Sequence, residues 1–355
     1  MDKSTVIRDK RVVLGDIHGC REYLDALLAN GEFENLGGLL ATGDIGGYGP
    51  DSLYCYQFLI DLKKKLESEG KIFRVVRGNH EDALELRLTH PEVGVSGISK
   101  TADIGVLLAI EQMFGKGVCK EKTKGEKVLD SKVVRRILLE DWNQRLKAGN
   151  LNIVNPDYLN EIKTKCVDNP AKYAGQLDLL KNLPNVLSFI VNLPKEERIG
   201  RVKIRHTADI NGKTDAYVMG KEQLAYANRV MEASKKSKMD RKRYLTDDEV
   251  FDSDLFQDCD VLILGHVHSS DNYIRGNKRI IMANSPFPRD GLGIRAPVLI
   301  YQGGLIRRKT LEYNFEETAR KLKATNPRFL EQIELYRRVP RNGWYPWKNW
   351  KISAS

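Results

Sequence analysis

Five of the chain's six histidines fall in short motifs, most of them rich in aspartate or its amide. The motifs are Gly15-Asp16-Ile17-His18-Gly19, Gly43-Asp44, Gly78-Asn79-His80-Glu81, Arg205-His206-Thr207 and Gly265-His266-Val267-His268. Only His90 lies outside them. Imidazole combined with carboxylate is a ligand set suited to divalent transition metals. Asp16 and His18 are two residues apart, so an extended strand end would turn both side chains to one face, and His266 and His268 repeat the spacing. Glycines beside these residues let the chain turn sharply as it leaves each strand. Two ions held roughly 3.5 to 4 Å apart need one bridging carboxylate. Asp44, alone in its motif, is the candidate, and Asn79 adds a neutral carbonyl oxygen. The set reads as a two-metal hydrolase site.

Each motif follows an apolar run that reads as a strand: Val12–Leu14, Leu39–Ala41, Ile72–Val76, Val202–Ile204 and Val261–Leu264. In open α/β sheets, sites gather at the carboxyl ends of strands. Helix-period apolar positions over Arg21–Asn30 and Asp51–Ser68 alternate with the early strands, which indicates a layered α/β domain. Further strands are expected at Ile280–Ala283 and Val298–Tyr301, with Gly303-Gly304 turning a hairpin into Leu305–Leu311. Between the two halves the pattern becomes lysine-rich and helical, with helices expected at 102–114, 132–147, 156–165 and 171–183. Another helix is expected at 221–238. The expected division is a core at 1–96 and 200–314, a helical insertion or cap at 97–199, and a basic, Trp-rich C-terminal extension at 315–355.

A chain of 355 residues with 41% apolar residues can bury a sizeable core. No apolar run approaches the roughly 18 residues of a membrane span, and no signal-like stretch follows Met1. The expected location is the cytoplasm. The five cysteines are scattered and never spaced C-x-x-C, so they suggest reduced thiols rather than disulfides or a zinc site. Much of the +10 net charge sits late, with 12 Lys and Arg against 5 Glu from Leu305 onward. There Trp344, Trp347 and Trp350 recur beside Arg341, Lys348 and Lys351. Such a segment either packs back on its own domain or stacks on bases and neutralises phosphates.

The motif order resembles that of the calcineurin-like metallophosphoesterase superfamily over about residues 11–96 and 200–304. The resemblance implies a four-layer αββα sandwich with two divalent ions, manganese first among Mn, Fe, Zn, Ni and Co. It implies that Asp16, His18, Asp44 and His268 hold one ion, and that Asp44, Asn79, His206 and His266 hold the other. His80 would face the substrate phosphate and act on the leaving group. Gly46-Gly47-Tyr48-Gly49-Pro50-Asp51 and the segment from Asn284 to Gly291 are similar to the compact prokaryotic branch. The Ser/Thr protein phosphatases carry an aspartate and an arginine where this chain has Gly47 and Tyr48. His80 therefore lacks that carboxylate partner, and phosphate binding would fall to Arg77, Arg289, Tyr48 or an insertion residue. Three departures from the compact branch, Thr207 after His206, the lack of its usual Pro-Gly pair around Asn284 and the long insertion, bear on substrate class.

Two ions can generate hydroxide near neutral pH and stabilise charge on phosphoryl oxygens, while a histidine donates to the departing oxygen. The expected function is hydrolysis of a phosphomonoester or phosphodiester, with a phosphorylated small molecule or nucleotide as substrate. A nucleic-acid phosphodiesterase using the basic extension is the next reading. A non-catalytic interaction protein on the same fold is the third, although such proteins usually lose the ligands or the histidine that this chain keeps.

Overall fold

The computed structural model describes residues 10–31, 36–89, 100–114, 117–123, 126–130, 133, 186–210, 217–219, 244–268, 271–287, 295–303 and 305–337. The chain opens with β1 (Arg11–Leu14), α1 (Arg21–Ala29), β2 (Gly38–Ala41), α2 (Ser52–Ser68), β3 (Ile72–Val75) and α3 (Asn79–Thr89). There follow α4 (Lys100–Phe114), a hairpin of β4 (Cys119–Thr123) and β5 (Glu126–Leu129), and α5 (Val186–Val191). The second half carries β6 (Glu196–Ile199), β7 (Val202–Arg205), β8 (Tyr217–Met219), β9 (Tyr244–Thr246), α6 (Asp247–Phe251), β10 (Val261–Leu264), β11 (Asn272–Arg275) and β12 (Lys278–Met282). It closes with β13 (Arg295–Gln302), β14 (Leu305–Glu312), α7 (Phe315–Thr325) and α8 (Pro327–Arg337).

Two five-stranded sheets result, ordered β14-β13-β1-β2-β3 and β11-β12-β10-β7-β6. In the first, β1, β2 and β3 run parallel and β13 joins β1 antiparallel. In the second, β7, β10 and β12 run parallel, with β6 and β11 antiparallel at the edges. Successive side chains on a strand point to opposite faces, and burial follows that rule. Val13, Leu40, Ile263 and Ile281 meet in one cluster between the sheets. Their neighbours Val12, Leu14, Leu39 and Ala41 face outward under α1 and α2, in a cluster that also takes Leu24, Leu27 and Leu59. On the far side Leu262, Leu264, Ile280 and Met282 pack against Val250 and Phe251 of α6. The four layers are therefore helix, sheet, sheet, helix, as expected.

The segment expected to be helical from residue 97 contains α4 as read, but also the β4–β5 hairpin. Its strands, CKEKT and EKVL, are lysine-rich and lack a clean apolar alternation, so they read as polar helix. The helices expected at 132–147, 156–165, 171–183 and 221–238 lie, Val133 apart, outside the described residues. Strand β6, just before residue 200, pairs with β7, so the second sheet begins earlier than its apolar pattern suggested. Among the described residues no helix is long and apolar enough to cross a membrane.

The segment expected as an extension begins with two helices that pack onto the first sheet's helical layer. Phe315, Leu322, Phe329 and Ile333 join the main core, and Thr318 and Lys321 bind the Glu22 carboxylate at 2.7 Å each. Burying such side chains stabilises by roughly 1.5–3 kcal/mol apiece, so the four together approach the whole stability of a domain, about 5–15 kcal/mol. A chain ending at Asn314 is expected to lose its cooperative melting transition in circular dichroism. A truncated chain melting within about 3 °C of the full chain would contradict the packing argument.

Candidate metal centre

All five motifs converge where the parallel strands of both sheets end. Asp16 and His18 follow β1, Asp44 follows β2, and Asn79 and His80 form the first turn of α3 after β3. His206 follows β7, and His266 and His268 follow β10. Three overlapping sets of ligand atoms lie within 4.8 Å of one another: Asp16, His18 and His268; His18, Asp44 and His80; Asp44, His206 and His266. Asp44 Oδ2 is the hub, 3.8 Å from His18 Nε2, 3.3 Å from His206 Nε2 and 3.9 Å from His80 Nε2. On one side of it, His268 Nε2 stands 2.7 Å from His18 Nε2 and 3.1 Å from Asp16 Oδ2. On the other, Asn79 Oδ1 lies 2.8 Å from His206 Nε2 and 3.0 Å from His266 Nδ1.

The cluster is buried, with Asp16 and His18 wholly inaccessible, and the backbone is bent to build it. His18, Asp44, His266 and His268 adopt φ values of 51°, 48°, 67° and 52°. The left-handed region costs a side-chain-bearing residue about 1–2 kcal/mol, and such outliers persist only where surroundings over-determine them. Here they swing consecutive side chains into one volume.

The surrounding contacts determine which nitrogen each histidine presents. His18 Nδ1 faces the Gly46 carbonyl at 3.4 Å and His206 Nδ1 faces the Thr42 carbonyl at 2.8 Å. A carbonyl accepts only, so both Nδ1 atoms carry hydrogen and both Nε2 atoms turn toward the cluster as potential donors to a cation. Asp16 is held by the Thr42 hydroxyl at 3.2 Å and the His266 amide at 2.7 Å. The His80 amide donates to Asp44 Oδ1 at 2.9 Å, leaving Oδ2 as the hub. Imidazole lone pairs converging on carboxylate oxygens in a dry pocket fit divalent metal ions.

Protonation without a cation points the same way. Burial pushes Asp16 up to about 7, against the opposing pull of His206. Burial likewise holds His18 well below the ordinary histidine value, helped by His80 and His268. Burial would depress His206 too, but the Asp44 and Asp16 carboxylates override it and raise the imidazole to about 10. A proton thus stands in for positive charge between two carboxylates.

His80 is different. Its Nε2 faces the hub, yet its buried Nδ1 has no hydrogen-bond partner among the described residues. Gly47 sits against that edge with φ of 128°, and a side chain there would collide with the imidazole. The missing carboxylate partner is thus replaced by bare backbone. Tyr48 lies at the rim, its ring 4.7 Å from both His18 and His80. Arg77 is not delivered to the cluster: its guanidinium is paired with Asp82 and Glu85 of α3 and reaches the Val191 carbonyl. Arg289 lies outside the described residues, as do His90 and the tryptophans from Trp344 to Trp350.

Sequence reading overlooked Thr42, which supports two ligands through two different atoms. It also overlooked Tyr217, whose ring lies 4.5 Å from His266 and stacks on Tyr244, and Glu81. The Glu81 carboxylate accepts from the amides of Asp44, Ile45, Gly46 and Gly78 at 2.9 to 3.3 Å and from the Tyr56 hydroxyl at 2.6 Å. A glutamate reaching back to the amide at a helix start is half of a capping box, so its position in Gly78-Asn79-His80-Glu81 was a usable signal.

A family model described as calcineurin-like phosphoesterase matches residues 10–270. The symmetrical bis(5'-nucleosyl)-tetraphosphatase of Psychromonas ingrahamii is 39% identical over 70 residues, 19% of this chain and 23% of that protein. The protein of the same name from Photorhabdus laumondii is 35% identical over 98 residues, 27% and 32% of the two chains. The matches thus span about a quarter to a third of these relatives. Among solved structures, a metallophosphoesterase from Sphaerobacter thermophilus aligns over 92% of this chain and 98% of its own, with TM-score 0.45 and 14% identity.

Two experiments check the site. Since a raised histidine pKa means that a proton must leave before an ion can bind, adding Mn²⁺ to metal-free protein at pH 7 is expected to release protons. Metal affinity is then expected to fall as the pH drops below neutral. Calorimetry in buffers of differing ionisation enthalpy measures both, and zero proton release would contradict the assigned charge state. Separately, Glu81→Ala strands buried amides at roughly 1–3 kcal/mol each. It is expected to lower the melting temperature by several degrees and weaken metal binding together, although Glu81 touches neither of the proposed ion positions.

Proposed function

Because the chain belongs to the calcineurin-like phosphoesterase family, we propose that it hydrolyses phosphoric esters with two divalent metal ions, manganese first, and that its substrate is a nucleotide-class ester. The observation that carries this reading is the single Asp44 oxygen within 3.3 to 3.9 Å of imidazole nitrogens from His18, His80 and His206. Asp16, His18, Asp44 and His268 would hold one ion, and Asp44, Asn79, His206 and His266 the other. When bound, two such ions lower the pKa of water and stabilise charge on phosphoryl oxygens.

The remaining work falls to the chain itself. Asp44 joins the two halves of the site. Asp16, buried and hydrogen-bonded from Thr42 and His266, stays fixed without solvent. His80, absent from both proposed ligand sets, supplies a proton to the departing oxygen through Nε2, a contribution typically of 10²- to 10⁴-fold. The dinucleoside tetraphosphate named for the matched relatives is the first substrate to test. Tyr217 and Tyr244, stacked beside His266, are aromatic groups of the kind that hold a base. A nucleic-acid phosphodiester is the second reading, favoured by Arg307, Arg308 and Lys309, exposed on edge strand β14. The Cys20, Cys55 and Cys259 thiols are free and buried, as the reduced thiols of a cytoplasmic protein would be.

The test is hydrolysis of diadenosine tetraphosphate, 4-nitrophenyl phosphate, bis(4-nitrophenyl) phosphate and single-stranded RNA by metal-stripped and Mn²⁺-loaded protein. Activity is expected only with metal and greatest on the dinucleotide. Asp44→Asn is expected to lose metal and turnover together. His80→Ala is expected to keep its metal while turnover on the dinucleotide falls about 10²-fold or more. Full turnover after rigorous metal removal would overturn the reading.

A further inference from the structure

We propose that Phe329, acting through Tyr48, is a positioning residue for His80, so that the C-terminal helix pair sets the orientation of the acid. The inference rests on the phosphoester cleavage proposed above. Among the described residues His80 has no hydrogen bond on Nδ1 to fix its ring, and the torsion that turns an imidazole has broad minima. Its orientation is left to the rings around it. Two flank it: His18, at 4.7 Å and 67°, and Tyr48, at 4.7 Å and 60°. His18 is held on Gly46, so Tyr48 is the adjustable wall.

Tyr48 is in turn held from α8. Phe329 stacks on its ring at 4.4 Å with only 13° between the planes, and the buried Asn326 donates to the Tyr48 carbonyl at 3.2 Å. Phe329 is itself wedged edge-on against Phe287 at 5.1 Å. Three residues further along the same loop, Lys321 of α7 binds the Asp51 carboxylate at 2.7 Å. From the other side α4 closes the clamp: Gly105 touches the Gly47 backbone so closely that no side chain fits there. Gln112 donates to the Pro50 carbonyl and accepts from the Leu53 amide at 3.0 Å. The loop from Gly46 to Asp51 is thus gripped between α4 and the α7–α8 pair, and one ring of it reaches the acid. Ring packing does here what a carboxylate does for a histidine that has one.

A poorly oriented acid matters only when the leaving oxygen needs a proton, which gives the test a readout that loss of fold would not produce. Mn²⁺-loaded full-length protein is assayed on 4-nitrophenyl phosphate and on phenyl phosphate, whose phenolate is a far worse leaving group. In Phe329→Leu and Tyr48→Leu the ratio of kcat on the nitrophenyl ester to kcat on the phenyl ester is expected to rise about tenfold, the scale on which small misplacements act, with metal content unchanged. Tyr48→Phe, which keeps the ring, is expected to restore the ratio. An equal fall on both esters, or an unchanged ratio, overturns the proposal. Should Phe329→Leu fail to fold, Tyr48→Leu, at a half-buried loop position, decides alone. Wild-type protein that cleaves neither ester would defeat the phosphoesterase reading first, and this inference with it.

Discussion

The Glu81 carboxylate is the contact on which the site's geometry rests. Four backbone amides and one phenol converge on it, three of the amides from the turn after β2 and one from the start of α3. Hydrogen bonds to an ionised group contribute more than neutral ones, about 1.5–3 kcal/mol each, and here they all serve to hold two turns in one register. That register places Asp44 Oδ1 on the His80 amide and so frees Oδ2 to be the hub. It also absorbs the left-handed backbone at Asp44, a conformation that an unsupported aspartate would leave.

A second constraint comes from between the sheets. Asp16, Asp44 and Asn79 belong to one sheet, while His206, His266 and His268 belong to the other. Among the described residues no strand pairing connects the two, so their relative placement depends on the packing of Val13, Leu40, Ile204 and Ile263 in the interlayer core. Cores of this kind are close-packed and respond to a single methylene. The direct links across the gap at the site run through the clustered residues themselves: His266 amide to Asp16, His206 to the Thr42 carbonyl, His18 to His268, Asn79 to His206 and His266, Asp16 to His268 and Asp44 to His206.

Most of this was legible from residue types and spacing. Four of the five strands that carry ligands announce themselves as apolar runs ending in Gly-Asp, Gly-Asn or Gly-His, with β7 ending instead in Arg205-His206, and the structure places all eight of the singled-out Asp, Asn and His residues in one cluster. The paired strands β4 and β5 were hidden because their sequences, CKEKT and EKVL, are dominated by charged residues, so hydrophobic period could not mark them. Arg77 could be placed beside the site by sequence, but not its neutralisation by Asp82 and Glu85, since those partners meet it only once α3 has formed. Thr42 acts through its carbonyl as well as its hydroxyl, and a backbone acceptor carries no residue-type signal. The helices after Asn314 were obscured by their net charge, which drew the eye from the apolar stripe of Phe315, Leu322, Phe329 and Ile333.

The division of the ligand set between two sheets gives bound ions a mechanical part as well as a chemical one. A cation held by residues of both sheets is a cross-link between them, formed only in the folded state, and mass action then adds its binding energy to the stability of the fold. At a free metal concentration one hundred times the dissociation constant the gain is about 2.7 kcal/mol. It shrinks logarithmically as metal becomes scarce. The two sheets, joined otherwise by apolar packing and a handful of hydrogen bonds, would part more often in a metal-starved cell and expose the chain to proteolysis. The quantity of enzyme present, and not merely its activity, would then follow the supply of metal.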